Sequence, residues 1–144
     1  MSPPLDRPKR ILAVDYGERR TGLAATDWTG TIGLPLPRLD IDEPQALATA
    51  IAALAREREA QVIVLGMPLR HDGTAGHRAV RTQAFADLLA AAAAPLPIAM
   101  VDESHTTDEA HERLKQGGLR AARRKELADS IAALVILERY RSGA

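Results

Sequence analysis

The stretch Ile11-Leu12-Ala13-Val14-Asp15-Tyr16-Gly17, near the start of the 144-residue chain, governs the interpretation of the whole sequence. Its four consecutive apolar residues predict a short strand that is buried on both faces. A carboxylate at the end of such a strand is costly to desolvate unless a cation or a donor pairs with it. Because ligands bind beyond the carboxyl ends of strands in open α/β sheets, we expect Asp15 to be a metal ligand.

The composition is that of an ordinary globular protein, with 46% hydrophobic and 26% charged residues. The length fits a single domain, which we place at residues 10–142 after a flexible lead-in at residues 1–9. The formal net charge is zero, so nucleic-acid binding would need a local basic patch. The absence of cysteine excludes disulfides, thiolate metal sites and cysteine nucleophiles, and it fits a cytoplasmic protein. No window approaches the ~20 apolar residues of a membrane span, and no signal peptide is apparent.

Two later apolar runs, residues 62–65 and 98–101, have the same character as the first and predict further buried strands. Between the first two runs, residues 21–26 and 31–36 predict two more strands. Their short connections require antiparallel neighbours, so the chain begins with a three-stranded meander. The later strands are separated by helices and should be parallel. The predicted fold is therefore α/β, with a mixed five-stranded sheet flanked by helices.

The segments between and after the strands predict four helices. Glu43-Pro44 indicates the start of the first, since proline is tolerated in an initial turn. Further helices are predicted at about residues 76–93, 106–115 and 126–140. A turn is predicted at Gly66-Met67-Pro68, before the first of these three helices, and a basic loop at residues 119–125, before the last. The core residues expected from the second helix are Val80, Phe85, Leu88 and Leu89.

Carboxylates converge on one edge of the predicted sheet. Asp15 ends the first strand, and Asp102 and Glu103 end the last. Asp129 shares a helical stripe with apolar residues and should point inward. Such carboxylates would repel one another without a divalent cation, and ligation by oxygen alone suits Mg²⁺ or Mn²⁺. The spacing leaves open whether Asp102 or Glu103 is the ligand.

These residues favour a metal-dependent phosphodiesterase. Two Mg²⁺ or Mn²⁺ ions about 4 Å apart would activate a water and stabilise the leaving oxygen. The expected contacts to a phosphate backbone come from the basic segment just before Asp129, namely Arg120, Arg123, Arg124 and Lys125.

Each feature has a simpler interpretation when it is taken alone. Asp15-Tyr16-Gly17 could be a turn, and Asp102 or Glu103 could be a helix cap. Asp129 could pair with a basic side chain, and the basic segment could be a solvated loop. The four histidines show no metal-ligand spacing. Only the combination of carboxylates at matching structural positions with a basic segment favours the catalytic interpretation.

Short motifs from residue 10 to about residue 140 occur in a specific order. They are residues 11–17 with Arg20 and Gly22, 64–69, 72–74, 101–103, 106–107, 117–118, 129–130, 132–133 and 136–137. In this order and spacing the chain resembles the YqgF (RuvX) family of Holliday junction resolvases and pre-16S rRNA nucleases.

The resemblance implies a ribonuclease H-like fold and an acidic trio of Asp15, Glu103 and Asp129 as catalytic and metal-binding residues. It thereby favours Glu103 over Asp102. It also implies dependence on Mg²⁺ or Mn²⁺, a bacterial cytoplasmic setting and maturation of the 5′ end of small-subunit ribosomal RNA. Arg20, which lies in the first motif, joins the expected contacts to nucleic acid.

The chain departs from the family pattern at three positions. Ser104 and His105 stand where an arginine and a leucine are usual, and Glu18 stands where a small hydroxyl residue is usual. His105 or the basic segment could replace the missing arginine, and we interpret Glu18 as facing solvent. These changes concern substrate preference more than the fold.

Other functions stay open at this point. The main alternatives are a Holliday junction resolvase-like DNA endonuclease and a non-catalytic protein that binds RNA during ribosome assembly. A phosphotransferase of the actin and hexokinase kind is disfavoured because it needs two such domains around a nucleotide. The sequence decides neither between RNA and DNA as the partner nor between a monomer and a homodimer.

Overall fold

The computed structural model describes residues 8–68, 76–104, 109–110, 112 and 121–143. Its strands form one sheet in the order β3-β2-β1-β4-β5. The strands are β1 (Ile11–Asp15), β2 (Thr21–Thr26), β3 (Gly33–Leu39), β4 (Val62–Met67) and β5 (Ile98–Asp102), and the helices are α1 (Pro44–Glu57), α2 (His77–Ala93) and α3 (Ala121–Ser142). The mixed five-stranded sheet predicted from the sequence is confirmed.

The pairing of the strands brings three carboxyl ends to one edge of the sheet. β1 pairs antiparallel with β2, which places Asp15 opposite Gly22, and β2 pairs antiparallel with β3. β4 runs parallel to both β1 and β5, with Gly66 opposite Val101. The chain segments that follow β1, β4 and β5 therefore meet at the same edge, which we call the carboxylate edge.

The two faces of the sheet are covered by different helices. Leu12 and Val14 of β1 belong to the core beneath α1 and α2, whereas Ile11 and Ala13 pack against α3. Since side chains alternate along a strand, Asp15 lies on the α3 face. The elements around β1 thus place Asp15 beside the helix that carries Asp129.

Several predicted boundaries were wrong. β3 covers Gly33–Leu39 rather than residues 31–36. β4 continues through Met67, so Gly66 lies inside a strand and not in a turn. The last helix begins at Ala121, which places Arg123, Arg124 and Lys125 in a helix and not in a loop. Arginine, lysine and alanine are good helix formers, so a run of charge does not by itself indicate a loop.

Other predictions have mixed outcomes. Phe85 and Leu89 are buried as expected, but Val80 is 64% exposed, so its assignment to the core was wrong. Most of the helix predicted at 106–115 and residues 1–7 of the predicted lead-in lie outside the described residues. Lys9, the last residue of the predicted lead-in, donates its backbone N–H to Gln61 Oε1 at 2.9 Å. Within the described ranges, no helix is long and apolar enough to cross a membrane.

Candidate active site

Asp15 and Glu103 meet at the carboxylate edge in a nearly water-free position. The side chain of Asp15 is 11% exposed and that of Glu103 is 4% exposed. Asp15 is the last residue of β1, and Glu103 directly follows β5. The backbone N–H of Glu103 donates to the carbonyl of Met67 at 3.1 Å, which fixes the residue at the end of β4. The structure thus joins two of the three carboxylates predicted from the sequence.

The surroundings of Asp15 disfavour its negative charge. Burial raises the pKa of Asp15 well above its ordinary value, and hydrogen bonding with Glu103 and the charge of Glu103 raise it further. The positive charge of Arg78 opposes this increase, and the charge of Asp129 adds to it. Asp15 Oδ1 is buried and has no hydrogen-bond partner within the described part of the chain. A buried oxygen in this state suits a bound cation.

Two glycines make this arrangement possible. A Cβ on Gly66 would lie 2.9 Å from Glu103 Oε2 and 2.5 Å from Ile136 Cδ1. A Cβ on Gly22 would overlap the backbone carbonyl of Asp129. Gly66 therefore leaves space for the Glu103 carboxylate, and Gly22 lets α3 approach β2. The sequence analysis missed the first role, although a glycine at the end of a strand often marks a close approach.

Asp129 lies beside the pair but does not complete a metal cluster with it. Its side chain is 35% exposed, and Arg38 Nη1 lies 3.7 Å from its Oδ2. The expected inward orientation is therefore only partly met, since the carboxylate lies at the border of the packed face. Among the residues that the structure describes, no three carboxylate or imidazole groups surround a common point closely enough to hold a metal ion.

The neighbouring Asp102 has a different environment from Glu103. It is exposed, and its Oδ1 accepts hydrogen bonds from the N–H and the hydroxyl of Ser104 at 3.0 and 2.7 Å. Arg139 of α3 donates from Nη1 to the carbonyls of Asp102 and Ser104 at 3.0 and 2.8 Å. Asp102 thus stabilises a turn, while Glu103 faces Asp15. The sequence analysis did not identify Arg139, whose position near the end of a helix resembles that of an ordinary surface charge.

Arginines border the carboxylate edge. Arg78 at the start of α2 lies 3.7 Å from both Asp15 Oδ1 and Glu103 Oε1. Arg20 is exposed in the connection between β1 and β2. Exposed Glu18, in the same connection, pairs with Arg81 Nε at 2.7 Å.

The predicted basic segment is only partly described. The backbone of Arg123, Arg124 and Lys125 belongs to the N-terminal part of α3, the helix that carries Asp129. Arg120 and His105 lie outside the described residues. The contacts to nucleic acid that we predict for the basic segment therefore stay predictions.

Comparison with known proteins identifies relatives over almost the whole chain. Residues 9–142 match the family described as RuvX: Holliday junction resolvase. A protein of Chloroflexus aurantiacus named "Putative pre-16S rRNA nuclease" is 38% identical over 90% of this chain and 84% of its own length. A protein of Kineococcus radiotolerans with the same name is 41% identical over 92% of this chain and 71% of its own length.

Solved structures of low sequence identity share the fold. The structure of T. thermophilus RuvC in complex with Holliday junction substrate has a TM-score of 0.57 at 18% identity, covering 93% of this chain and 96% of that chain. The Fowlpox virus resolvase in complex with substrate Holliday junction DNA has a TM-score of 0.53 at 12% identity, covering 92% and 97%. The sheet and its helices are therefore of the ribonuclease H-like type expected from the sequence.

Proposed function

The chain belongs to the RuvX family, and on that premise we propose that it is a divalent-metal-dependent nuclease with Asp15, Glu103 and Asp129 as catalytic carboxylates. Family membership makes the protein a nucleic-acid hydrolase. The metal dependence, the residue roles and the nuclease domain at residues 10–142 are our proposals.

One observation supports the metal site above the others. Asp15 Oδ1 is buried, has no hydrogen-bond partner among the described residues and lies beside a second buried carboxylate, that of Glu103. Two carboxylates placed together away from water need positive charge to ionise together. The donor set contains oxygen only, which suits Mg²⁺ or Mn²⁺ rather than a softer metal.

Asp15 and Glu103 would hold the metal, and Asp129 would join them by leaving its loose 3.7 Å contact with Arg38. Bound metal, as one ion or a pair, supplies a polarised water and neutralises the leaving oxygen of a phosphodiester. In the reaction the water oxygen would form a new bond to phosphorus while the bond from phosphorus to the leaving oxygen breaks. The attacking water gives up a proton, and the leaving oxygen takes up a proton from solvent. The buried walls around Asp15 and Glu103 limit access by bulk water and strengthen charge interactions there.

Positively charged residues of the chain would align the polymer. Arg20 is exposed in the connection that follows β1, and Arg123, Arg124 and Lys125 belong to the helix that carries Asp129. Contacts of this kind bind phosphates without reading sequence, so they set the register of the strand over the metal. We therefore propose these residues, with Arg120, as the nucleic-acid-binding set.

We propose precursor ribosomal RNA as the polymer, cleaved during maturation of its 5′ end in the cytoplasm. Support comes from the name shared by the relatives of C. aurantiacus and K. radiotolerans. A four-way DNA junction is the second candidate, favoured by the description of the family. Cleavage of a two-fold symmetric junction would favour a homodimer, and sedimentation analysis would distinguish that state from a monomer.

A cleavage assay tests the proposal. Matched precursor-rRNA and four-way DNA substrates are incubated with wild type, Asp15→Asn, Glu103→Gln or Asp129→Asn in Mn²⁺, Mg²⁺ or EDTA. Loss of a metal ligand removes several kcal/mol of transition-state stabilisation, so we expect Asp15→Asn and Glu103→Gln to lose about 1,000-fold in rate. Asp27→Asn, which changes an aspartate at the opposite end of β2, is the matched control and should cleave like wild type.

Two results would contradict the proposal. Equal cleavage by wild type, Asp15→Asn and Glu103→Gln would show that the carboxylates are not catalytic. Binding of RNA without cleavage in any metal would indicate the non-catalytic alternative, a protein that binds RNA during ribosome assembly.

A further inference from the structure

Arg78 occupies the position between the two buried carboxylates. Its Nη2 atom lies 3.7 Å from Asp15 Oδ1, 3.7 Å from Glu103 Oε1 and 3.5 Å from the backbone carbonyl of Tyr16. Its side chain is nevertheless 56% exposed. One guanidinium therefore faces both carboxylates from the solvent side of the site.

The contacts of Arg78 with the carboxylates are too long to lock the side chain. A distance of 3.7 Å exceeds that of a normal N–H···O hydrogen bond, so the attraction is mainly one of charge. Asp15 Oδ1 is still without a hydrogen-bond partner in the described part of the chain. A half-exposed arginine also has several accessible rotamers, and no directed hydrogen bond to either carboxylate holds it in one of them.

The backbone beneath Arg78 is held firmly, in contrast to its side chain. Thr82 Oγ1 donates to the Arg78 carbonyl at 2.8 Å, and the adjacent Ala79 is 2% exposed. Phe85 of α2 stacks on Tyr16, with the ring centroids 4.3 Å apart and the planes at 8°. Because α2 is anchored to the segment after β1, a change at the carboxylates would move the Arg78 side chain and leave the helix in place.

We propose that Arg78 is a displaceable counter-ion, which neutralises Asp15 and Glu103 before the metal binds and contacts a phosphate of the nucleic acid afterwards. This inference rests on the proposed function. A divalent cation between the carboxylates repels a guanidinium at 3.7 Å, and the open side of Arg78 is solvent. Guanidinium groups bind phosphate oxygens in a bidentate manner, so a substrate phosphate would capture the released side chain. Arg78 is thus a positioning residue that couples metal binding to substrate binding.

The test compares Arg78→Gln with Arg81→Gln, a matched variant one turn further along α2 whose arginine pairs with Glu18 instead. Mn²⁺ binding to the substrate-free proteins is measured by calorimetry and electron paramagnetic resonance. Removal of a competing cation should tighten Mn²⁺ binding by Arg78→Gln about fivefold or more, a typical coupling between linked sites. Arg81→Gln should bind Mn²⁺ like wild type, and Arg78→Lys should return the affinity towards the wild-type value.

The second readout is the response to nucleic acid. With Ca²⁺ as a metal that supports binding, Arg78→Gln should bind the substrate more weakly, and in Mn²⁺ its KM should rise more than its kcat falls. In wild type, a non-cleavable substrate analogue should tighten Mn²⁺ binding. Arg78→Gln should show a smaller tightening, because it keeps the direct attraction between metal and phosphate but lacks the coupling through Arg78.

The outcomes separate this proposal from the proposed function. Unchanged or weaker Mn²⁺ binding by Arg78→Gln, with normal binding and cleavage by wild type, would overturn only the role of Arg78. Absence of Mn²⁺ binding by every variant and by wild type would overturn the metal-dependent nuclease as well. Circular dichroism confirms that each variant is folded before its affinity is compared.

Discussion

Asp15 is the last residue of β1 and Asp27 directly follows β2, so they lie at opposite ends of the β1–β2 pair, and their environments are opposite. Asp27 Oδ1 accepts hydrogen bonds from the Thr29 hydroxyl at 2.8 Å, the Thr31 N–H at 2.9 Å and the Ile32 N–H at 3.2 Å. The hydrogen bonds from Ile32 and Thr29 are the main causes that lower the pKa of Asp27. Burial instead raises the pKa of Asp15, whose Oδ1 receives no hydrogen bond from the described residues.

This difference distinguishes a carboxylate that builds structure from one that is available for chemistry. Asp27 stabilises the turn between β2 and β3, and its charge is already satisfied by the chain. Asp15 is in a position that destabilises its own charge, which proteins tolerate mainly at functional sites. In the sequence both aspartates stand at the end of a predicted strand, so only the surroundings separate the two.

The largest expected effect concerns the backbone approach that builds the Asp15 end. Gly22→Ala would place a Cβ on the backbone carbonyl of Asp129. Gly33 lies at the other end of β2, opposite Thr26. A Cβ on Gly33 would meet only side-chain atoms of Leu134 and Leu137. Backbone cannot yield as a leucine methyl can, so we expect Gly22→Ala to lower the free energy of unfolding by about 3 kcal/mol and Gly33→Ala by about 1 kcal/mol. Urea denaturation measures both. Equal losses would show that the two ends of the sheet are packed with similar tolerance.

A second effect tests the space around Glu103. Gly66→Ala would press on Glu103 Oε2 and Ile136 Cδ1 and displace the carboxylate from Asp15. A misplaced ligand weakens metal binding and catalysis, and we expect a loss of about tenfold or more in kcat/KM. The measurement is cleavage in Mn²⁺, with thermal unfolding as a check on the fold. Unaltered cleavage by a folded variant would argue against close placement of the two carboxylates.

The dependence of stability on pH should have opposite signs at the two aspartates. The pKa of Asp15 is higher in the folded than in the unfolded protein, so its contribution to stability is lost as the pH rises from about 4 through the folded-state pKa. In EDTA, Asp15→Asn should therefore have a higher Tm than wild type at about pH 8, and the gain should vanish towards about pH 4. A gain of about 1 kcal/mol would correspond to roughly 4 °C in Tm.

Asp27→Asn provides the reverse case. The pKa of Asp27 is lower in the folded protein, so its stabilising contribution is present above the unfolded-state value and is lost as the pH falls. We expect a lower Tm than wild type near neutral pH and a smaller difference in acid. Thermal scans of both variants across the same buffers make the comparison, and shifts of the same sign would contradict it.

The smallest effect is expected at the exposed ion pair of Glu18 and Arg81. Both side chains are more than half exposed, although Arg81 Nε and Glu18 Oε1 are 2.7 Å apart. Exposed pairs contribute about 0.5 kcal/mol or less, so Glu18→Gln should change the free energy of unfolding by no more than this. Urea denaturation at low and high salt measures this change in the free energy of unfolding. A larger loss would show that the connection after β1 depends on α2 more strongly than the exposure indicates.

The framework of the fold could be predicted because its signals are local. Continuous apolar runs indicated β1, β4 and β5, and short connections indicated the antiparallel meander. Which face of α2 is buried could not be predicted in the same way. Its sequence is rich in alanine on every side, so Val80 had no clear polar face opposite it, and the structure buries Ala79 and Thr82 instead.

The carboxylate edge could be predicted from the order of the residues. An aspartate ends one buried strand and an acidic pair ends another, and the ends of parallel strands lie at the same edge of a sheet. The partners of those carboxylates depended on the packing of distant segments. Arg78 comes from α2, Arg38 from β3 and Arg139 from α3, and nothing in their local sequence identifies which acidic group each one meets. The spacing of residues could not choose between Glu103 and Asp102 either, because the two are adjacent. In the packed sheet Glu103 faces Asp15, while Asp102 accepts a hydrogen bond from Ser104. Strand periodicity is encoded by neighbouring residues, whereas desolvation and charge pairing arise only when remote side chains are brought together.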